Sequence, residues 1–196
     1  MKLKTILTAA SAAVLLAACG SDHHDAHNVH GDGEHIGQRS FSATLNPTEG
    51  NEGLHGFVMF EDTADGVFVL AHVEGLDAGG VHGFHVHEYG DCSDPEAMSA
   101  GGHFNPHGAD HGSPQSTERH VGDLGNLRAD DAGIAHLEMI DTKLELSGPH
   151  SILGKSVIVH AQPDDYQTQP TGDAGARVLC GVIVDADIDE HDHHAH

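Results

Sequence analysis

Val81-His82-Gly83-Phe84-His85-Val86-His87 reads as a short β-strand that ends on two histidines. Side chains at i and i+2 of a strand share one face, so the imidazoles of His85 and His87 can point at one metal ion. A His-x-His pair alone fits a solvated strand face equally well, so its meaning depends on what lies around it. Similar runs flank it on both sides. Phe41-Ser42-Ala43-Thr44-Leu45 alternates apolar and polar residues, and 54–60 and 67–73 are β-prone runs bounded by Gly or Asp. Residues 134–140, 156–160 and 177–184 continue the series. Seven or eight such strands, with one or two hairpin-like spacings, predict an all-β chain: a Greek-key antiparallel barrel or sandwich of about eight strands. The 25 Gly in 196 residues agree with a turn-rich β architecture.

Two stretches break the rhythm, 88–125 and 161–176. Both are rich in Gly, Pro and Asp and lack strand alternation, and loops that long in a compact domain are usually functional. The first carries His103, His111, His120 and Asp123. Three imidazoles and a carboxylate suit a closed tetrahedral zinc site, and a metal can supply the energy that fixes an irregular loop. His160 ends the run Val157-Ile158-Val159-His160 and can join His85 and His87 across the barrel.

Composition sets outer bounds. Eight Lys+Arg against 31 Asp+Glu give a formal charge of -23, which excludes a basic nucleic-acid footprint. The outlier is histidine, 21 residues, and neutral imidazole is the commonest metal-ligand side chain.

Both ends differ from the middle. Lys2 and Lys4 precede the apolar run Ile6 to Ala18, which fits a signal peptide over 1–18 and is too short to span a bilayer. Its end, Leu16-Ala17-Ala18-Cys19, resembles the bacterial lipobox, whose cysteine is lipidated and becomes the new N-terminus; Gly20 in the next position favours outer-membrane sorting among such lipoproteins. The expected organisation is a lipid-anchor Cys19 with a disordered His-rich tether over 19–39, a domain over 40–185, and a His-rich tail over 186–196. The expected location is the periplasm of a Gram-negative bacterium, with membrane contact only through the lipid. His23, His24, His27, His30 and His35 in the tether, and His191, His193, His194 and His196 in the tail, read either as solvated extensions of no specific role or as groups that capture copper or zinc near the domain. With Cys19 lipidated, Cys92 and Cys180 remain, either as a disulfide that an oxidising compartment preserves or as two free thiols.

Four motifs then carry a specific likeness. Gly83-Phe84-His85-Val86-His87-Glu88, Gly101-Gly102-His103-Phe104-Asn105-Pro106, Arg119-His120-Val121-Gly122-Asp123-Leu124-Gly125-Asn126 and Gly172-Asp173-Ala174-Gly175-Ala176-Arg177-Val178-Leu179-Cys180-Gly181-Val182-Ile183 resemble, in order and spacing, the signatures of copper/zinc superoxide dismutases, and more closely the periplasmic bacterial members with His-rich extensions. The resemblance spans roughly 41–184. It implies copper on His85, His87, His103 and His160, and zinc on His103, His111, His120 and Asp123, with His103 bridging the two. It implies that Asp164 links ligands of the two sites, that Arg177 stands at the mouth of the copper channel, and that Cys92 and Cys180 form the family disulfide. The implied reaction is dismutation of superoxide to dioxygen and hydrogen peroxide, with His103 and Arg177 as the catalytic side chains. Relatives occur as monomers and as dimers, so a homodimer is among the states the resemblance allows.

Some residues fall outside the pattern. His55, His72, His82, His136 and His150 match no family ligand and read as surface or loop residues, while His107 lies inside the first long loop, where it could tune metal loading. Gln167-Thr168-Gln169-Pro170-Thr171 lacks the lysine that eukaryotic relatives carry, which leaves Arg177, and Lys155 if the fold brings it near, to attract an anion. A non-enzymatic copper/zinc buffer or metal-delivery protein is the alternative reading, but such a protein has no use for a channel arginine.

Overall fold

Alternation decides what β1 (Ser40–Pro47), β2 (His55–Thr63) and β3 (Gly66–Glu74) bury. Phe41, Ala43 and Leu45 of β1, Val58 and Phe60 of β2, and Val67, Val69, Ala71 and Val73 of β3 face inward and exclude water, while their neighbours face out. Apolar burial of this kind is the main favourable term in folding, at about 25 cal/mol per Å². The computed structural model describes residues 39–186. The signal peptide, Cys19 and the histidines of the tether and tail lie outside the described residues. Among the described residues, no helix is long and apolar enough to cross a membrane.

Five further strands complete the barrel: β4 (Val81–His87), β5 (Asp123–Arg128), β6 (Ala135–Asp141), β7 (Ser156–His160) and β8 (Arg177–Val182); a short β9 (Val184–Asp185) pairs with β1. The order across the sheet is β5-β4-β7-β8-β1-β2-β3-β6, with every pairing antiparallel. The β3–β6 and β4–β7 neighbours are not consecutive in the chain, which is the Greek-key crossing. An isolated bridge between Ala129 and Ala135 brings the two ends of the sheet together, so the eight strands nearly close into a barrel. The all-β expectation therefore holds.

The expected loop over 88–125 ends early. β5 begins at Asp123, inside that span, and continues through Asn126-Leu127-Arg128, which sequence reading left unassigned. Its residues do not alternate, because Leu124 and Leu127 are buried and so are Asp123 and Gly125. The segment 88–122 otherwise has only a short 3-10 turn at Met98–Ala100. It is pinned by a disulfide between Cys92 and Cys180, whose Cα atoms are 5.8 Å apart, so the free-thiol alternative does not describe the chain. Beside that bridge a second small apolar cluster forms from Ala97, Ala100, Ile158 and Cys180.

Candidate metal centre

β4 is buried on both faces, and that places the first two histidines. Phe84 and Val86 enter the barrel core, while His85 and His87 turn to the opposite face, where the two long loops cover them. The first loop comes back along β4: Phe104 N–H donates to Val86 O at 2.8 Å, Val86 N–H donates to Gly122 O at 2.9 Å, and a bridge pairs His87 with His103. The β4–β5 register puts Asp123 opposite His85. His160 ends β7, the neighbour of β4 on its other side. Backbone pairing alone thus gathers residues far apart in the chain.

Two groups of side-chain donors result. His85, His87, His103 and His160 form one; His103, His111, His120 and Asp123 form the other; within each, one ligand atom per residue lies within 4.8 Å of all the rest, and every residue is buried. These are the seven residues singled out from sequence, with His103 common to both groups.

Hydrogen bonds to the far side of each ring fix which nitrogen is bare. His87 Nδ1 lies 3.0 Å from Gly101 O and His160 Nδ1 lies 3.2 Å from Gly175 O; a carbonyl only accepts, so both Nδ1 atoms carry the proton. Their Nε2 lone pairs then face each other at 3.4 Å. His85 Nε2 donates to Asp164 Oδ2 at 2.9 Å, which leaves His85 Nδ1 buried without a hydrogen-bond partner. His103 Nδ1 contacts Asp123 Oδ1 at 2.8 Å, and His103 Nε2 is buried without a partner on the side of the first group. His111 Nε2 donates to Asp164 Oδ1 at 2.9 Å, and its Nδ1 sits 3.0 Å from Asp123 Oδ1 outside hydrogen-bond geometry. Buried acceptors facing acceptors are costly, and a cation between them removes the cost.

The electrostatics follow from this burial. Desolvation, then the neighbouring imidazoles, hold His87 and His160 well below the ordinary histidine range, and desolvation likewise lowers His85. Burial pulls His103 down to about 4, against the opposing pull of Asp123. For His111 burial acts downward too, but contact with Asp123 and Asp164 outweighs it and raises the group to about 9. Burial works against ionisation of Asp123 and Asp164, yet the surrounding imidazoles hold both carboxyls far below their usual range. The first group is therefore four neutral imidazoles, and the second combines imidazoles with an anion, a hard oxygen donor that suits zinc.

Asp164 joins the two groups through His85 and His111, the place sequence analysis gave it. Gly172 lies so close that a Cβ there would overlap Asp164 Oδ1, and its φ of +66° is one that other residues rarely adopt. Several supporting residues escaped sequence reading. Asn126 clasps the Asp164 backbone, accepting from its N–H at 2.8 Å and donating to its carbonyl at 3.0 Å. Gln169 does the same for His111, at 2.8 and 3.0 Å, and so ties the second loop to the first. Buried Arg119 donates to the carbonyls of His120, Val121 and Asp123 and pairs with Asp141 at 2.6 Å. His82 corrects an expectation: it is buried, and its Nδ1–H donates to His160 O at 2.9 Å. Arg119 and Asn126 lie within a quoted motif, but the roles of these groups were hidden because Asp141, Asp164, His111 and His160, which they hold, are distant in the chain.

A cavity of about 360 Å³ leads to the first group, lined among others by His87, His160, Thr171, Arg177, Glu49 and Glu96. Arg177 donates to Ala97 O and, at 2.6 Å, to Gly101 O, the carbonyl that also holds His87. Burial pulls the guanidinium down from its ordinary value and the charge of Asp94 opposes that pull. Lys155 is elsewhere: its ammonium donates to Glu88 O at 3.0 Å and sits over the Phe104 ring, outside this cavity. His107 is exposed and its ring lies 4.7 Å from that of His150.

Two comparisons bear on this arrangement. The sequence profile of the family described as copper/zinc superoxide dismutase (SODC) matches residues 54–183. A solved structure described as that of the clock protein EA4 is 41% identical, superposes with a TM-score of 0.69, and covers 75% of this chain and 94% of its own.

Proposed function

The chain belongs to the copper/zinc superoxide dismutase family, and from that premise we propose that it converts two superoxide anions and two protons to dioxygen and hydrogen peroxide. Copper would be held by His85 Nδ1 and by Nε2 of His87, His103 and His160; zinc by Nδ1 of His103, His111 and His120 and by Asp123. The fit rests on donor atoms. The bare nitrogens of His85 and His103 are buried without partners, His111 Nδ1 stands 3.0 Å from the Asp123 carboxylate without a hydrogen bond, and Nε2 of His87 and His160 are turned by the hydrogen bonds at Nδ1 toward the first group's centre. Bound copper supplies one-electron redox chemistry, and redox-inert zinc supplies a fixed positive charge behind the bridge.

The chain's own residues supply the rest. His103 Nε2 is the atom placed to hold a proton in one half of the cycle and release it in the other, on a residue whose backbone the bridge to His87 fixes. Arg177, a permanent cation, attracts a small anion into the cavity and orients it beside His87 and His160. At physiological salt the Debye length is about 8 Å, so the distant acids behind the -23 total are screened and the local balance is that of Arg177 against Glu49 and Glu96 in the same cavity. The observation that carries the proposal is that Arg177 shares a cavity with two histidines of the first group, which a metal buffer would not need. The test is superoxide decay by the protein loaded with one copper and one zinc, beside the same amount of free copper. Catalysis near the diffusional range, abolished by a copper chelator, is expected; a rate no greater than free copper's would overturn the proposal.

We further propose that the chain is exported and held to the bacterial outer membrane by a lipid on Cys19. The lipobox-like end of the apolar run and the disulfide, which an oxidising compartment preserves, support this. Labelled fatty acid should enter the protein and should be absent from Cys19→Ser; label retained in that variant would overturn the anchor.

A further inference from the structure

Three histidines outside the metal centre gather on the outer face of β2, β3 and β6. His72 stands directly opposite His136 in the β3–β6 register, and His55 directly opposite Glu74 in the β2–β3 register. Glu74 has a histidine at each oxygen: His72 Nε2 is 3.1 Å from Oε1 and His55 Nε2 is 3.6 Å from Oε2. An ordinary ion pair needs one histidine per carboxylate, and this one has two. The His72 and His136 ring centroids are 6.1 Å apart. Within the buried centre, rings that belong to the same donor group are separated by 4.0 to 6.4 Å, so the surface rings are spaced like the wider of those pairs, and turning the side chains brings their donor atoms onto one point. The Phe57 ring, 5.7 Å from His72 on the β2 side, limits where that imidazole can turn.

We propose that this face binds a divalent cation of the borderline class, Zn2+ or Cu2+, through His55, His72, Glu74 and His136. Imidazole nitrogen and carboxylate oxygen are the ligands such ions prefer. Glu74 lies between two of the histidines and contributes the negative charge. His136 must leave Glu138, now 3.1 Å away, to complete the set, and its exposure permits that turn. This site differs from the buried centre in its dynamics. Its ligands are already in contact with water, so the ion enters and leaves without moving the fold. One ion would tie three neighbouring strands.

The experiment is a Zn2+ titration of the full chain with both buried positions filled and copper in its reduced, diamagnetic form. Imidazole 1H–15N correlations report each histidine separately. His55, His72 and His136 should shift together with a single saturable midpoint, and Glu74→Gln should raise that midpoint roughly tenfold or more. His72→Ala should abolish the shifts of the other two. Unchanged shifts at these three residues while histidines of the termini respond would overturn the site. So would unrelated midpoints, or a midpoint that Glu74→Gln leaves in place. The readout does not depend on superoxide chemistry.

Discussion

β3 and β4 are strands of similar length in one barrel, yet they are built on different terms. β3 buries every second residue and gives the others to solvent; β4 is buried almost throughout, because loops 88–122 and 161–176 lie over the face that carries His85 and His87. On β3 the hydrophobic effect settles both faces at once. On β4 it settles only the inner one, and the outer one encloses imidazoles, carboxylates and carbonyls that must be paired with each other or with an ion. The difference teaches where this molecule is tolerant: a polar change on the β3 face is solvated, whereas one beneath the loops strands a partner in the dry.

The largest expected break in that contrast is at His103, the one ligand common to both donor groups. His103→Ala should lower kcat/KM and metal retention by more than the roughly 10–100-fold that loss of an outer partner brings. Pulse-radiolytic superoxide decay and metal content after dialysis measure the two together. Retention of a full equivalent of zinc would show that His103 does not serve both groups. His72→Ala on the solvent face of β3 should leave activity unchanged.

Next comes the buried pair under the loop. Arg119→Met would leave Asp141 without its counter-charge, although backbone N–H groups of Lys143 and Leu144 still donate to it. Breaking a buried pair from one side costs about 3–5 kcal/mol, readable as a lower denaturation midpoint at constant m. It should also weaken zinc binding, because Arg119 holds the carbonyls of His120 and Val121. A change below 1 kcal/mol would mean that the loop is held by its metal ligands alone. Removing the disulfide with Cys92→Ser and Cys180→Ser is expected to cost somewhat less, about 2–4 kcal/mol.

These predictions touch residues that were unevenly visible in the sequence. The donor residues were visible as candidates, an i, i+2 pair on a strand and three imidazoles with an aspartate on a loop, but each was ambiguous alone, and only the four family-like motifs implied how they divide into two sets with His103 in both. The strands with one solvated face were legible from alternation. β5 was not, because Asp123 serves the donor group while it opens the strand, Gly125 sits at a φ of +87°, and burial on both faces removes the alternating signal. Asn126, Gln169 and His82 were also illegible, since each acts on a backbone group that only the fold brings near, and so was the pairing of Arg119 with the distant Asp141.

Arg177→Ala probes the channel rather than the scaffold. Loss of one local cation should lower kcat/KM about tenfold, roughly 1.4 kcal/mol, and flatten its dependence on ionic strength. Copper content should stay at one equivalent. A fall in copper would instead assign Arg177 a structural part, through the Gly101 carbonyl it shares with His87.

The smallest effect is expected on the open face. Met59 lies on β2 opposite Leu70, outward and 44% exposed. Met59→Thr should change stability by no more than about 0.5 kcal/mol, since a half-exposed side chain without a partner loses little and threonine suits a strand. Chemical denaturation at two protein concentrations measures it. A loss above 1 kcal/mol that grows with dilution would mean that a second copy covers this face in solution. The contrast between β3 and β4 would then be one between a face covered by another chain and a face covered by the chain's own loops.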